Sequence, residues 1–330
     1  MSDADNLKTT RRLAMQGLLG AGALPLIGRT FSPISPAMAQ GYAGVTANQS
    51  EVVFMPGASV PSVAFAEWDI EDDESKRGAR TLIAQGKEEA DKAPRNASRY
   101  EAKTYDFPTG TLRVLRWKKG TPIIHQIGFA TEVFVLEGSA TLTPLYGIKQ
   151  ADVKMGAGDA FYFPSGTIRN PKPSQDFVII EAIVGSSTPN PKGGVIRLKD
   201  AEPRWTAQWE EGGQFKTVTK KEEYAKAPKG AVKYTSKRYI WEGNSMRVST
   251  WEKGGRTSVG TNGRVDVLFY CIKGRLRRTE GKEVFELAAG DCMREVKGYS
   301  GFWEPLEADS AYFATDAPLI IGGSTPKTKA

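Results

Sequence analysis

Short runs of Val, Ile, Phe and Tyr, each cut off by a Gly-centred turn, set the hydrophobic pattern of most of the chain. Glu132 to Leu136, Ala140 to Leu145 and Ala160 to Phe163 are the plainest of these runs, and their length and β-branched or aromatic make-up predict strands. The 35 Gly and 19 Pro are spread along the chain, as many tight turns require. The expected class is all-β with short helical additions. Glu51 to Ile70 reads as extended, a strand of an N-terminal extension packed on a barrel, whereas Glu71 to Lys92 is charged and mostly helix-forming.

The pattern repeats. Trp117-Lys118-Lys119-Gly120 returns as Trp251-Glu252-Lys253-Gly254, Val135-Leu136-Glu137-Gly138 as Cys271-Ile272-Lys273-Gly274, and Ala157-Gly158-Asp159 as Ala289-Gly290-Asp291. Gly166 and Gly298 each follow the preceding Gly at the same spacing. Two copies of one β domain account for this, each a sheet closed on itself around a cavity lined by alternate strand residues. Between them, 196–230 is rich in Pro, Gly and Lys and reads as a connector, with a short exposed helix over Lys220 to Lys226 and Trp205 and Trp209 as packing anchors. The expected division is a leader at 1–39, a first domain with its extension at 40–195, the connector, and a second domain at 231–330.

The leader is read from a different pattern. Thr9-Thr10-Arg11-Arg12-Leu13 precedes an apolar stretch to Ile27, and Ala37-Met38-Ala39 supplies small residues for cleavage before Gln40. The stretch is broken by Pro25 and falls short of the roughly 20 apolar residues that span a bilayer. A twin-arginine signal, periplasmic release and no stable membrane anchor are expected.

Charge changes this picture little. Lys and Arg number 45 against 38 Asp and Glu, a net +7. Residues 1–39 hold four cations and two anions, a net of +2, so the remainder keeps +5. The charges are interleaved, as in Lys220-Lys221-Glu222-Glu223, and no basic stripe for nucleic acid stands out. A mild basic excess is compatible with a small anionic ligand. The two cysteines, Cys271 and Cys292, lie in apolar strand-like runs, where a disulfide and two buried thiols both stay open.

The motifs resemble the cupin superfamily. Its first motif is matched by Gly120-Thr121-Pro122-Ile123-Ile124-His125-Gln126-Ile127 and Thr131-Glu132-Val133-Phe134-Val135-Leu136-Glu137-Gly138, its second by Gly158-Asp159 through Pro164-Ser165-Gly166-Thr167-Ile168-Arg169. In the second copy, Gly298, Gly301 and Trp303 are similar to the ureidoglycine aminohydrolase-type subgroup. The resemblance covers roughly 105–185 and 235–320 and implies two tandem jelly-roll barrels, a bicupin, with pairing through barrel edges and hence a homodimer.

Metal-binding cupins use three His and one Glu; this chain has one His. By resemblance the missing His positions fall on Ile127 and Arg169 in copy one and near Thr261, Gly263 and Gly301 in copy two. No standard metal site is expected and no cofactor is assigned, although a three-ligand transition-metal site from His125, Glu132 and a remote carboxylate stays open. Counting back from Gly138 puts the family's Glu position at Thr131, with Glu132 facing outward unless a bulge intervenes. The resemblance places His125 and Arg169 together in the first cavity. Arg169 would bind a substrate carboxylate, and His125 would exchange a proton near neutrality, with Glu132 and Tyr162 as further proton-transfer candidates. The expected function is a metal-independent lyase, isomerase or hydrolase acting on a small anionic metabolite; a non-catalytic binding or sensory bicupin and a metal-dependent oxygenase or isomerase are the alternatives. Trp251, Phe269, Trp303 and Tyr312 make the second copy a structural or dimerising barrel.

Overall fold

The computed structural model describes residues 52–69, 81–127, 131–144, 152–163, 166–184, 193–252, 254–261 and 265–317. The expected leader, 1–39, lies outside them.

The described residues build an all-β protein of two tandem jelly-roll barrels, each with one large and one small sheet. The first large sheet runs, edge to edge, Gly194–Ile196, Ala160–Phe163, Thr131–Glu137, Phe177–Ile183, Gly110–Trp117, Ser98–Phe107, Val63–Asp69 and Thr81–Gln85. Its small partner is Ile123–Ile127, Gly166–Asn170, Ser139–Pro144 and Val153–Gly156. The second large sheet has the same order: Val53–Met55, Cys292–Glu295, Asp266–Lys273, Ser310–Ala317, Asn244–Trp251, Val232–Trp241, Glu202–Glu211 and Gln214–Val218. Its small partner is Gly260–Thr261, Ser300–Pro305, Arg275–Glu280 and Glu283–Ala288. All pairings are antiparallel, and both copies carry the same register shift, which leaves Leu136 and Ile272 out of the ladders.

Each half lends its first strand to the other. Val53–Met55, which precedes the first barrel, pairs with Cys292–Glu295 of the second; Gly194–Ile196, which precedes the second barrel, pairs with Ala160–Phe163 of the first. An otherwise open sheet edge is covered in each case. The repeated Gly-Asp pair builds the joint. Gly158 and Gly290 have φ of 86° and 97°, a turn conformation that suits Gly. The Asp that follows caps the incoming strand: Leu198 N donates to Asp159 Oδ1 at 2.9 Å and Gly57 N to Asp291 Oδ1 at 2.7 Å. Tyr239 OH donates to Gly158 O at 2.5 Å and Tyr105 OH to Gly290 O at 2.6 Å, each reaching from the opposite half. Between the large sheets lies a shared core that includes Tyr105, Phe134, Tyr162, Tyr239, Leu268 and Phe313.

Two expectations are corrected, and one open alternative is decided. The span 196–230 is no connector, because Glu202–Glu211 and Gln214–Val218 are the outer strands of the second large sheet. Their mostly exposed residues and high charge hide the strand pattern. Only the helix expected there is met, at Lys221–Lys226. In the described part of the charged span before the first barrel, 81–92, Thr81–Gln85 is a strand and Lys87–Lys92 a helix. The cysteines are both free. Cys292 pairs with Tyr270, so Cys271 faces the other side of the sheet. Cys271 packs inside the second barrel and Cys292 in the shared core, which precludes the bridge.

Candidate functional site

The interior of the first barrel holds a buried cluster of ionisable side chains that alternation along four strands turns inward. Phe65 and Glu67 face in from Val63–Asp69, Arg113 and Trp117 from Gly110–Trp117, His125 from Ile123–Ile127, and Glu181 from Phe177–Ile183. His125 is 2% exposed, and both its ring nitrogens are engaged: Nδ1 lies 2.8 Å from Glu67 Oε1 and Nε2 2.7 Å from Glu181 Oε1. Glu67 also accepts from the Tyr100 hydroxyl and, at 3.0 Å, from the Gln126 amide. Glu181 Oε2 accepts from Arg113 Nη1 at 3.0 Å. The rings of Tyr100 and Trp117 stand edge-on to the imidazole, each with its centroid 5.5 Å away.

Two acids thus enclose two bases. Burial by itself would strip the proton from His125, but the charges of Glu67 and Glu181 outweigh it and push the pKa up to about 10. Burial raises the Glu181 carboxyl, and the charges of His125 and Arg113 more than reverse this, so it is held below the usual carboxylate range. Burial, then the charge of Glu67, pushes Tyr100 well up. At neutral pH His125 is an imidazolium with both N–H groups donated to carboxylates. It has no lone pair with which to accept a proton.

The other candidate residues are not gathered around it. Glu181 pairs with Val133 and Ala182 with Glu132, so Glu132 projects from the opposite face of the sheet that carries Glu181. This is the outward direction that counting from Gly138 gives. Glu132 is not solvated there: it is fully buried against the second barrel, accepts from the Thr315 hydroxyl, and is raised by burial to a pKa of about 8. Tyr162, paired with Glu132, lies in the same shared core. Arg169 stands across from Ile124, one position off the His125–Ile168 pair and hence on the other face of the small sheet. Its guanidinium makes a two-pronged pair with Asp69 at 2.6 and 3.1 Å. Of the four, His125 alone reaches the interior.

The donor set does not fit the metal that the cupin resemblance implies. Glu67 and Glu181 bind opposite edges of one ring, so their oxygens do not converge with an imidazole nitrogen on a common point. Among the described residues no three His, Cys, Asp or Glu side chains are grouped to hold an ion.

Glu67, Arg113, Tyr100 and Glu181 are the residues that sequence reasoning misses. A signal for two of them exists: Tyr100 and Arg113 recur as Tyr234 and Arg247, at the spacing that relates Trp117 to Trp251. Glu181 is a lone acid in the run Phe177–Ile183, otherwise apolar.

The second barrel keeps those three and replaces the rest. Gln208 stands where Glu67 does, its Oε1 accepting from Ser258 N at 3.0 Å as Glu67 accepts from Gln126. Ala314, across from Arg247, replaces Glu181, across from Arg113. Thr257, which exchanges hydrogen bonds with the backbone of Trp303, takes the place of His125. The space is filled by rings: Trp303 is stacked on Tyr312 with centroids 5.5 Å apart, and Phe269 lies 5.1 Å from Trp303.

No family profile matches the chain, and no curated protein matches it. Among solved structures it is similar to oxalate decarboxylase from Bacillus subtilis, at 13% identity and a TM-score of 0.46 over 66% of this chain and 72% of that one. It is also similar to protein Ylba from E. coli, of family DUF861, at 9% identity and a TM-score of 0.48 over 83% and 93%. Likenesses this distant say nothing about activity. The class that the strand order defines is the double jelly roll. The ureidoglycine aminohydrolase-type likeness of Gly298, Gly301 and Trp303 gains no support beyond that.

Proposed function

We propose that this chain is a non-catalytic bicupin that binds a small anionic organic compound. The reading is carried by one observation: both ring nitrogens of His125, the one imidazole of the chain, are occupied by buried carboxylates. Acid/base catalysis through His125 and Arg169 needs a proton that exchanges near neutrality and a guanidinium in the same cavity. The locked imidazolium and the Arg169–Asp69 pair supply neither. The ion cluster instead fills the first barrel as a structural centre. The Arg11-Arg12 segment and the small residues before Gln40 support delivery to the periplasm by the twin-arginine route. The basic excess supports an anionic ligand. Strand exchange within the chain already supplies the edge pairing that the resemblance leads one to expect between two subunits.

The test is a panel of organic anions screened by thermal unfolding, with each stabilising compound followed by mass spectrometry. Stabilisation without consumption is expected, since a ligand that binds the native state raises its apparent stability. Consumption of a ligand that ceases in His125→Gln would overturn the reading.

A further inference from the structure

The second half carries a groove of about 700 Å³ between the hairpin Glu202–Val218 and the chain entering the small sheet. Arg256 forms part of its wall and is exposed. Its guanidinium carbon lies 4.8 Å from the ring centroid of Phe215 and 4.8 Å from that of Phe302, so the group is held between two aromatic faces. Four arginines of this barrel are tied to acids, Arg275 and Arg277 to Glu286, Arg278 to Glu280 and Arg294 to Asp266, whereas Arg238 and Arg247, like Arg256, have no ion pair among the described residues. A guanidinium clamped on both faces loses little freedom when its edge takes a planar oxyanion, and that edge matches a carboxylate in two-pronged fashion.

We propose that this groove binds an organic monocarboxylate, with the carboxylate on Arg256 and a flat apolar body against Pro228 and the ring of Phe215. The assignment rests on the non-catalytic binding reading and gives it a place. Lys229 adds a second cation to the groove. Of the two acids there, Glu211 is neutralised by Lys216, and Glu210 opposes a second negative charge on the ligand. The device belongs to this half alone. In the first barrel the residue preceding His125 is Ile124 and that preceding Ile168 is Thr167, where the second has Arg256 before Thr257 and Phe302 before Trp303.

Titration calorimetry of the full chain with benzoate, benzamide and inorganic phosphate at low salt tests this. Saturable benzoate binding is expected, weakened about tenfold or more in Arg256→Gln and a few-fold in Phe302→Leu, with benzamide and phosphate much weaker than benzoate. Thermal unfolding of both variants establishes that they are folded. Absence of benzoate binding in the millimolar range overturns the site. Phosphate binding as tight as benzoate overturns the organic carboxylate assignment. Benzoate bound equally by Arg256→Gln overturns the site while leaving a binding protein. Consumption of benzoate, lost with Arg256→Gln, would instead leave the site standing and remove the non-catalytic reading.

Discussion

Around His125 the first barrel buries two carboxylates, an imidazolium and a guanidinium in one hydrogen-bonded chain; around Trp303 the second barrel, on the same backbone plan, stacks aromatic rings. Tyr100, Arg113 and Trp117 are shared with Tyr234, Arg247 and Trp251; three partners differ, Glu67 against Gln208, His125 against Thr257 and Glu181 against Ala314, and the second barrel instead buries Arg278 with Glu280 and Glu295 beside Trp303. These exchanges belong together. Losing one member of a buried ion cluster leaves its partners charged and unpaired, whereas removing acids and base as a set leaves a space that apolar side chains can fill. The second barrel lacks both acids and the imidazole, and aromatic rings stand in their place, with Arg278 held on Trp303 and paired to Glu280 and Glu295.

The largest expected effect is on the cluster. His125→Ala leaves Glu67 and Glu181 without their common partner and should cost about 3–5 kcal/mol in urea unfolding. Thr257→Ala, at the matching place, should cost about 1 kcal/mol, the scale of one hydrogen bond. The triple change Glu67→Gln, His125→Thr and Glu181→Ala should be milder than the sum of its singles by about 1–3 kcal/mol; strict additivity would show that the cluster does not act as a unit.

Next in size is the response to pH. His125 titrates at about 10 in the folded chain against 6.5 unfolded, so its contribution is complete below pH 6.5 and is lost as pH rises toward 10. Glu132 is raised from 4.5 to about 8, so the folded state retains its proton where the unfolded state does not, and stability falls between these values. Each proton contributes a slope of about 1.4 kcal/mol per pH unit within its window. Glu132→Gln should flatten the curve between pH 4.5 and 8, and the His125 variants should flatten it between 6.5 and 10. An unchanged slope in either variant would remove that group from the account.

Smaller effects probe what the halves share. Tyr105→Phe and Tyr239→Phe each remove one hydroxyl from the joint, and both should cost about 1 kcal/mol and the same within error. A marked inequality in unfolding midpoints would break the symmetry of the joint. Arg169→Ala, which opens a part-exposed pair with Asp69, should change stability by about 1 kcal/mol or less and leave ligand binding intact.

The fold was legible because the sequence repeats its turns: Gly158-Asp159 and Gly290-Asp291 mark the same corner twice, and the runs before them alternate as strands must. The joint was less legible, since nothing local in Val53–Met55 or Gly194–Ile196 says which sheet each will extend. Of the site, His125 was visible from its motif. Glu67 and Glu181, 58 and 56 residues away, meet it only once the barrel closes. Arg169 was misplaced for a smaller reason, one step of strand register, which sends a side chain to the other face.

The exchanged edge strands also set a schedule for making the molecule. Leu198 reaches its anchor at Asp159 across 39 residues of chain, whereas Gly57 must find Asp291 across 234. At about 5–20 residues per second, the first joint can close about 2–8 s after its earlier member is made, and the second only about 12–47 s after. On the ribosome, therefore, the first barrel can be complete while Val53–Met55 still lacks its partner strand. Any nascent or C-terminally shortened chain without Cys292–Glu295 carries that strand with no native edge to join.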